Sequence, residues 1–330
     1  MRNLSVDFFR YFFSIEICLW HYLGKTECFN HGYLAVEFYF ILSGYFIARS
    51  ATQNTPPSVL DYTLKKVKKF YPKLLIASIP LVFIAIAKMI IVKSPETISV
   101  QINNILNECL FLGSSGVFKG RLNGTLWYIN VLVIGGGILY GILRTHYKEA
   151  LGFILPMGII MVYTYLLTLY NGSLRGEGLE YPFLNKGLLR GFVAMSLGIL
   201  LHEFIVRKKE FLYDYVNALD VAGIGSLSGI VIISMIRPNF DAYILPFSCM
   251  LILCCMIDGT FLNRTFANTK VKWMGQMSLN LYFIHFPVCI LCHALGNVIS
   301  TPLYLNIFLY LLVVHLTAVC YGKICKYIGI

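Results

Sequence analysis

The sequence predicts an all-α, polytopic transmembrane bundle of about ten helices with both termini in the cytoplasm. The first observation behind this prediction is composition, since 58% of the 330 residues are hydrophobic and only 13% are charged. No water-soluble domain could bury so much apolar surface. The second is that apolar runs near the ~20 residues needed to cross a bilayer recur from end to end. The third is the uneven distribution of basic residues.

Ten apolar runs are predicted to cross the membrane as helices. They cover residues 4–23, 33–50, 71–92, 126–143, 151–170, 187–206, 218–236, 243–261, 277–298 and 303–321. The first run contains charged residues, so it is expected to stay as the first helix rather than to act as a cleaved signal peptide. The longest connecting segments, 51–70 and 93–125, are too short to bury a core. Residues 1–330 are therefore expected to form a single integral membrane domain.

Basic residues predict the orientation. If Met1 is cytoplasmic, most of the 27 Lys and Arg residues fall in segments on the inner side, which is the positive-inside pattern. An even number of helices then places both termini inside. Anchoring of this face to anionic lipid explains the net charge of +11, so we do not interpret that charge as nucleic-acid binding.

The first predicted helix carries Asp7, Arg10, Glu16 and His21. Charged groups at membrane depth cost roughly 2.5 to 3.5 kcal/mol each on insertion scales, which indicates a functional helix. On an α-helix Arg10 and His21 are separated by three turns plus about 20°, so they share one face at a distance of roughly 16 Å. Asp7 lies within about 60° of that face, and Glu16 points elsewhere. A polar stripe through most of the membrane is expected.

The segment 58–71 has the pattern of an amphipathic helix on the inner membrane surface. Leu60, Leu64, Val67 and Tyr71 form one stripe, and lysines, among them Lys66 and Lys69, spread over the opposite side. The lysines either anchor the helix to lipid headgroups or hold an anionic cytosolic ligand such as a nucleotide-phosphate donor. Both interpretations can hold together.

Three other features leave alternatives open. Trp127 begins a run and would by default be an interfacial belt aromatic. His285 lies in the middle of a run and is either a hydrogen-bonded structural histidine or a site residue. Cys28 and Cys109 both fall in segments assigned to the outer side and could pair.

The order of the motifs resembles the acyltransferase 3 family of integral membrane acyltransferases. An arginine, ten residues and a histidine in the first helix is the signature of that family. The other motifs that carry the resemblance are the segment from Gly32 to Ile47 with its Leu42-Ser43-Gly44-Tyr45, the stretch from Lys66 to Pro72, Gly124-Thr125-Leu126-Trp127-Tyr128, and Tyr282-x-x-His285-x-Pro287. Three departures stand out: Glu37 replaces the usual aspartate, Lys66 and Lys69 replace arginines, and Leu132 replaces a frequent glutamate.

The resemblance implies an O-acyltransferase of the bacterial inner membrane, without a fused soluble domain. It implies transfer of an acyl group, with acetyl expected, from cytosolic acyl-CoA to a hydroxyl of a surface or exported glycan or glycolipid. No metal and no bound cofactor is expected, because acyl-CoA acts as a co-substrate.

The residue types fit this chemistry. A histidine titrating near pH 6.5 can deprotonate an alcohol and contributes ~10²- to 10⁴-fold as a general base, so His21 is the candidate base, or alternatively a transient acyl carrier. Arg10 is expected to hold the donor's carbonyl or phosphate groups, and Glu37 or Asp7 to orient the imidazole. Candidate substrate-binding residues are Lys66, Lys69, Trp127, His285 and Asp7.

A proton-coupled membrane transporter is the alternative from another class. Intramembrane acidic, arginine and histidine residues also build proton relays. Transporters often contain internal repeats with paired broken helices, and the sequence has no such repeat. A purely structural membrane subunit is a weaker third possibility.

Overall fold

The computed structural model describes residues 3–24, 30–110, 120–176, 185–235, 241–268, 271–296 and 302–330. Across these ranges the regular secondary structure is helical and no residue lies in a β-strand, which confirms the predicted all-α class. Eight helices of the described part are long and apolar enough to cross a membrane. Cys28 lies outside the described residues, so the structure does not test whether it pairs with Cys109.

The helices are α1 (Leu4–Leu23), α2 (Ala35–Ala51), α3 (Val59–Val92), α4 (Pro95–Cys109), α5 (Trp127–Thr145), α6 (Tyr147–Glu149), α7 (Leu155–Leu169), α8 (Lys186–Arg207), α9 (Lys209–Asp214), α10 (Val216–Met235), α11 (Ile244–Met256), α12 (Phe261–Phe266), α13 (Lys272–Gly296) and α14 (Leu303–Tyr327). Short 3₁₀ turns at Gly32–Leu34 and Asp241–Tyr243 precede α2 and α11. A π-helical turn at Ala150–Ile154 joins α6 to α7. Each of the ten predicted runs falls on one of these helices, although α11 has only 13 residues.

Helix α3 differs from its prediction. The segment 58–71 and the following run form one helix of 34 residues, about 51 Å long, so the predicted boundary at Tyr71 is wrong. Ser58 begins the helix by accepting a hydrogen bond from Asp61 N at 3.0 Å. Tyr62 stacks on Tyr140 with ring centroids 4.0 Å apart, and Phe70 is buried further along. This packing ties the N-terminal part of α3 to the bundle.

Helix α4 lies in a segment that was expected to be a loop. Ser94 caps it by accepting from Thr97 N at 3.1 Å, and Pro95 occupies its first turn. Its last turn returns to α3, where Ser78 donates to Glu108 at 2.6 Å. The segment is less apolar than the ten runs predicted to cross the membrane, so it is not among them.

Helices α2 and α8 pack backbone to backbone. A Cβ atom added to Gly44 would lie 1.9 Å from the carbonyl oxygen of Met195, and one added to Gly198 would lie 1.8 Å from that of Ile41. Only glycine permits such an approach. The contact fixes the register of α8 against α2, and thereby the partners of the charged residues on both helices.

Helix α1 is central to the candidate site and packs against α13, α2 and α14. Tyr22 near its C-terminal end stacks on Tyr310, with ring centroids 4.2 Å apart. Tyr11, three turns earlier, lies 2.8 Å from His315 Nε2 through its hydroxyl oxygen. Helix α14 therefore runs antiparallel to α1, and the described residues at both ends of the chain lie at one end of the bundle. Which side of the membrane that end faces stays a prediction.

Candidate active site

Three cavities follow one another along α1. The N-terminal cavity, of about 390 Å³, is lined by residues that include Asn3, Asp7 and Arg10. The central cavity, of about 290 Å³, shares Arg10 with it. The histidine cavity, of about 240 Å³, contains His21. The predicted polar face of the first helix therefore borders a series of internal spaces from one end of the helix to the other.

Cations line the first two cavities. Arg10 and Lys69 border both of them, Lys73 borders the N-terminal cavity, and Lys66 borders the central one. Asp7, a buried carboxylate, pairs with Arg10 at 3.5 Å. The predicted donor lysines thus face the same space as Arg10, and the cations outnumber the acidic group beside them.

Hydroxyl groups line the rest of the central cavity. Tyr39 OH donates to the backbone oxygen of Arg10, Ser43 donates to Tyr39 O at 2.7 Å, and the Tyr128 hydroxyl lies 3.2 Å from that of Ser43. Tyr282 borders the same space. These groups offer hydrogen bonds within a cavity whose lining otherwise combines the cations with apolar side chains.

The histidine cavity is mainly aromatic. The ring of His21 lies 4.3 Å from that of Trp20 and 5.9 Å from that of Phe286 between centroids. Trp127 and Tyr33 also line it. Trp127 is 8% exposed and belongs to this internal wall, so the structure does not place it as a simple belt residue.

Glu37 pairs with Arg190 rather than with a histidine. Arg190 Nε donates to Glu37 Oε1 at 2.8 Å, and both side chains are almost completely buried. Arg190 also donates to Gly176 O at 3.1 Å, and its guanidinium lies 5.5 Å from the centre of the Trp127 ring. The expectation that Glu37 contacts the imidazole of His21 is therefore not met in this geometry.

Asp7 is also far from His21. The two residues are fourteen positions apart on one helix, about 21 Å along its axis, and Asp7 borders the N-terminal cavity instead. His285, in contrast, lies next to His21, with ring centroids 5.2 Å apart. It is fully buried and is not among the residues that line the histidine cavity. His285 therefore contacts His21, and its expected contact with substrate stays a prediction.

A carboxylate network lies behind the histidine cavity. Tyr33 donates to Asp241 Oδ2 at 2.5 Å, the backbone N–H of Leu174 donates to the same oxygen at 2.6 Å, and His31 Nδ1 lies 3.0 Å from Oδ1. Burial raises the pKa of Asp241, but these three hydrogen bonds outweigh it and hold that pKa below its usual value. The network ties together three connecting segments around the cavity.

Sequence reasoning missed Arg190 as part of the site. The available signal was charge balance, because Arg190 and Glu37 are opposite charges within two predicted spans, and a buried charge requires a partner. Lys73 and the hydroxyls of Tyr39 and Tyr128 were also missed. No spacing rule identifies them, since their common cavity depends on how α2, α3 and α5 pack.

The fold and the site define a polytopic integral membrane protein with a series of polar cavities that ends at a histidine. The family model described as an acyltransferase domain matches residues 3–322, so the chain belongs to the acyltransferase 3 family and is a membrane acyltransferase. The resemblance inferred from the motifs is thereby confirmed. No curated protein and no solved structure matches the chain.

Proposed function

We propose that the protein is an O-acyltransferase of the bacterial inner membrane. It moves an acyl group, in the first instance acetyl, from cytosolic acyl-CoA to a hydroxyl of a surface or exported glycan or glycolipid. The observation that carries this proposal is the series of three cavities along the face of α1 that holds Arg10 and His21.

The cationic end of the series suits the donor. Arg10, Lys66, Lys69 and Lys73 surround the N-terminal and central cavities, and phosphate groups of a nucleotide headgroup are attracted to clustered cations. The basic residues of the connecting segments support a cytoplasmic location for this end and for both termini. Acyl-CoA then approaches from the compartment that contains it.

The central cavity suits the arm that carries the thioester. Arg10 and His21 are roughly 16 Å apart along the helix, a distance that the pantetheine arm of CoA can span. The hydroxyls of Tyr39, Ser43 and Tyr128 supply hydrogen bonds to its amides. The thioester then lies at the junction of the central and histidine cavities.

The histidine cavity suits the acceptor. Trp20, Trp127 and Tyr33 offer flat aromatic faces to the apolar faces of a sugar ring. His21 takes the proton of the acceptor hydroxyl, whose oxygen attacks the acyl carbon, and the departing thiolate receives a proton from His21. In the covalent variant, His21 first carries the acyl group itself.

The test uses purified protein in lipid nanodiscs with labelled acetyl-CoA and a panel of candidate glycans. Wild type and His146→Ala, an exposed histidine away from the cavities, should form labelled ester. His21→Ala should form none at equal abundance. Near-normal product from His21→Ala would refute the mechanism, and acceptor flux across proteoliposomes without acylation would favour a transporter.

A further inference from the structure

His285 is a buried titratable group that the proposed reaction does not use. Its Nδ1 lies 3.0 Å from Leu281 O and 2.9 Å from Tyr282 O on its own helix. Carbonyl oxygens only accept hydrogen bonds, so Nδ1 carries a proton and donates it to the backbone. In the neutral ring, Nε2 is therefore an acceptor.

This acceptor has no hydrogen-bond partner among the described residues, although it is buried. Two nearby donors form their hydrogen bonds elsewhere. The Tyr282 hydroxyl donates to Thr125 O, and the Cys289 thiol, one turn further along α13, donates to the backbone oxygen of His21 at 3.4 Å. The other ring against His285 is that of His21, and an imidazole always carries at least one N–H in its neutral form.

We propose that His285 is a positioning residue whose Nε2 accepts the N–H of His21 and so fixes the tautomer in which the free nitrogen of His21 faces the histidine cavity. This inference rests on the proposed function, in which His21 takes the acceptor proton. Ring centroids 5.2 Å apart allow an N–H and a nitrogen to face each other. Such hydrogen bonds are often long without substrate and tighten in the reacting complex.

The proton balance is simple. The acceptor's O–H proton moves to the free nitrogen of His21 while the acceptor oxygen bonds to the acyl carbon. The C–S bond then breaks, and the thiolate takes that proton from His21. The N–H that faces His285 stays in place throughout, and its hydrogen bond strengthens while His21 is positively charged. His285 thus orients the base and stabilises its charged form without gaining a proton.

Two amide variants separate this role from simple packing. In His285→Gln the amide lies near the position of Nε2 and can still accept from His21. In His285→Asn the shorter amide lies near the position of Nδ1, so it keeps only the bond to the backbone. We expect His285→Gln to keep kcat within about tenfold of wild type, whereas His285→Asn and His285→Leu lose about 100-fold, within the range of general-base catalysis. KM for acyl-CoA should stay unchanged in all three.

The matched control is His293→Leu on the same helix, because His293 is exposed and stacks on Tyr22 instead of lying against His21. It should leave kcat unchanged. An Asn variant as active as the Gln variant at equal membrane abundance would overturn the proposal, as would a rise in KM with constant kcat. If the Leu variant does not accumulate, the comparison of Gln with Asn decides.

Nitrogen-15 NMR of histidine-labelled protein gives a readout that does not depend on activity. His21 should show a single neutral tautomer in wild type and in His285→Gln, and a mixture in His285→Asn. An unchanged tautomer in the Asn variant would contradict the proposed role of His285 and leave the proposed function intact. Absence of any acyl transfer by wild type, with the tautomer fixed as expected, would instead contradict the proposed function.

Discussion

Arg190 Nε donates to Glu37 Oε1 at 2.8 Å, and this bond joins α8 to α2 at the histidine cavity, which Arg190 lines. Both side chains are at most 1% exposed, so neither charge can turn to water. The guanidinium in turn lies 5.5 Å from the centre of the Trp127 ring. The ion pair therefore sets the position of a cavity wall as well as the contact between two helices.

Removal of one partner should destabilise the protein strongly. Arg190→Met leaves the Glu37 carboxylate buried without its partner, a change that typically costs about 3 to 5 kcal/mol. The double variant Glu37→Leu with Arg190→Met should recover much of that loss, since no unpaired charge remains. Thermal unfolding in detergent measures both. Equal losses in the single and double variants would show that the pair is not the source of the stability.

The contact between α2 and α8 should tolerate no added methyl group. Gly198→Ala places a Cβ 1.8 Å from Ile41 O, so the helices must separate, with an expected loss of about 1 to 3 kcal/mol. Gly225→Ala is the control, because a Cβ there has no neighbour within 4 Å and alanine favours a helix. A lower melting temperature is expected for the first variant only, and equal melting temperatures would argue against this close packing.

Lys66 and Lys69 should contribute to the binding of acyl-CoA. Lys66→Glu with Lys69→Glu should raise KM for acyl-CoA by about 10- to 100-fold and leave KM for the acceptor unchanged, because electrostatic attraction to the headgroup is lost in the ground state. The control is Lys65→Glu with Lys68→Glu, since these exposed lysines lie on the same helix and line none of the three cavities described. If both pairs raised KM equally, general surface charge rather than the cavity would bind the donor.

Trp127 should contribute to the binding of the acceptor. Trp127→Ala removes an aromatic face of the histidine cavity, so KM for the acceptor should rise by about tenfold, the cost of about 1.4 kcal/mol of stacking, while KM for acyl-CoA stays constant. Trp127→Phe should recover most of the loss. Trp273→Ala serves as the control because this residue is 50% exposed and lines none of the three cavities described. Weakened donor binding alone would contradict the two-sided arrangement.

The orientation leads to a labelling experiment. Arg175 and Lys148 are both exposed. Lys148 lies in α6, before α7, and Arg175 follows the end of α7. In a background without exposed native cysteines, Arg175→Cys should react with an impermeant thiol reagent in intact cells, and Lys148→Cys should react only after lysis. The reverse pattern would invert the topology and place the cationic cavities on the outer side.

The sequence predicts spatial relations well between residues that lie on the same helix. The relation between Arg10 and His21 follows from helical periodicity alone, and both residues line the cavity series. Lys66 and Lys69 border the central cavity together with Arg10, although α3 does not divide at Tyr71 as the sequence predicts. That these lysines bind an anionic donor stays a prediction.

Relations between helices were less predictable. The sequence offers Glu37 or Asp7 as the residue that orients the imidazole. The partner of Glu37 in the structure depends on the register that Gly44 and Gly198 permit between α2 and α8. His285 was assigned to substrate because its motif suggested a site, and only tertiary packing shows that α1 covers it. A single sequence shows which residues could form such contacts. It does not show the distances between helices that decide which pairs meet.

The junction of the central and histidine cavities has a consequence for the energetics of the cell. Ile17, Val36 and Tyr282 border both cavities, so two of the three side chains at this neck are apolar. A continuous column of water between the membrane faces would conduct ions and dissipate the transmembrane potential. Apolar constrictions oppose this by dewetting, and an acyl chain passes through them without its own hydration shell. The neck that we propose admits the donor's arm would therefore also keep the bilayer electrically insulated.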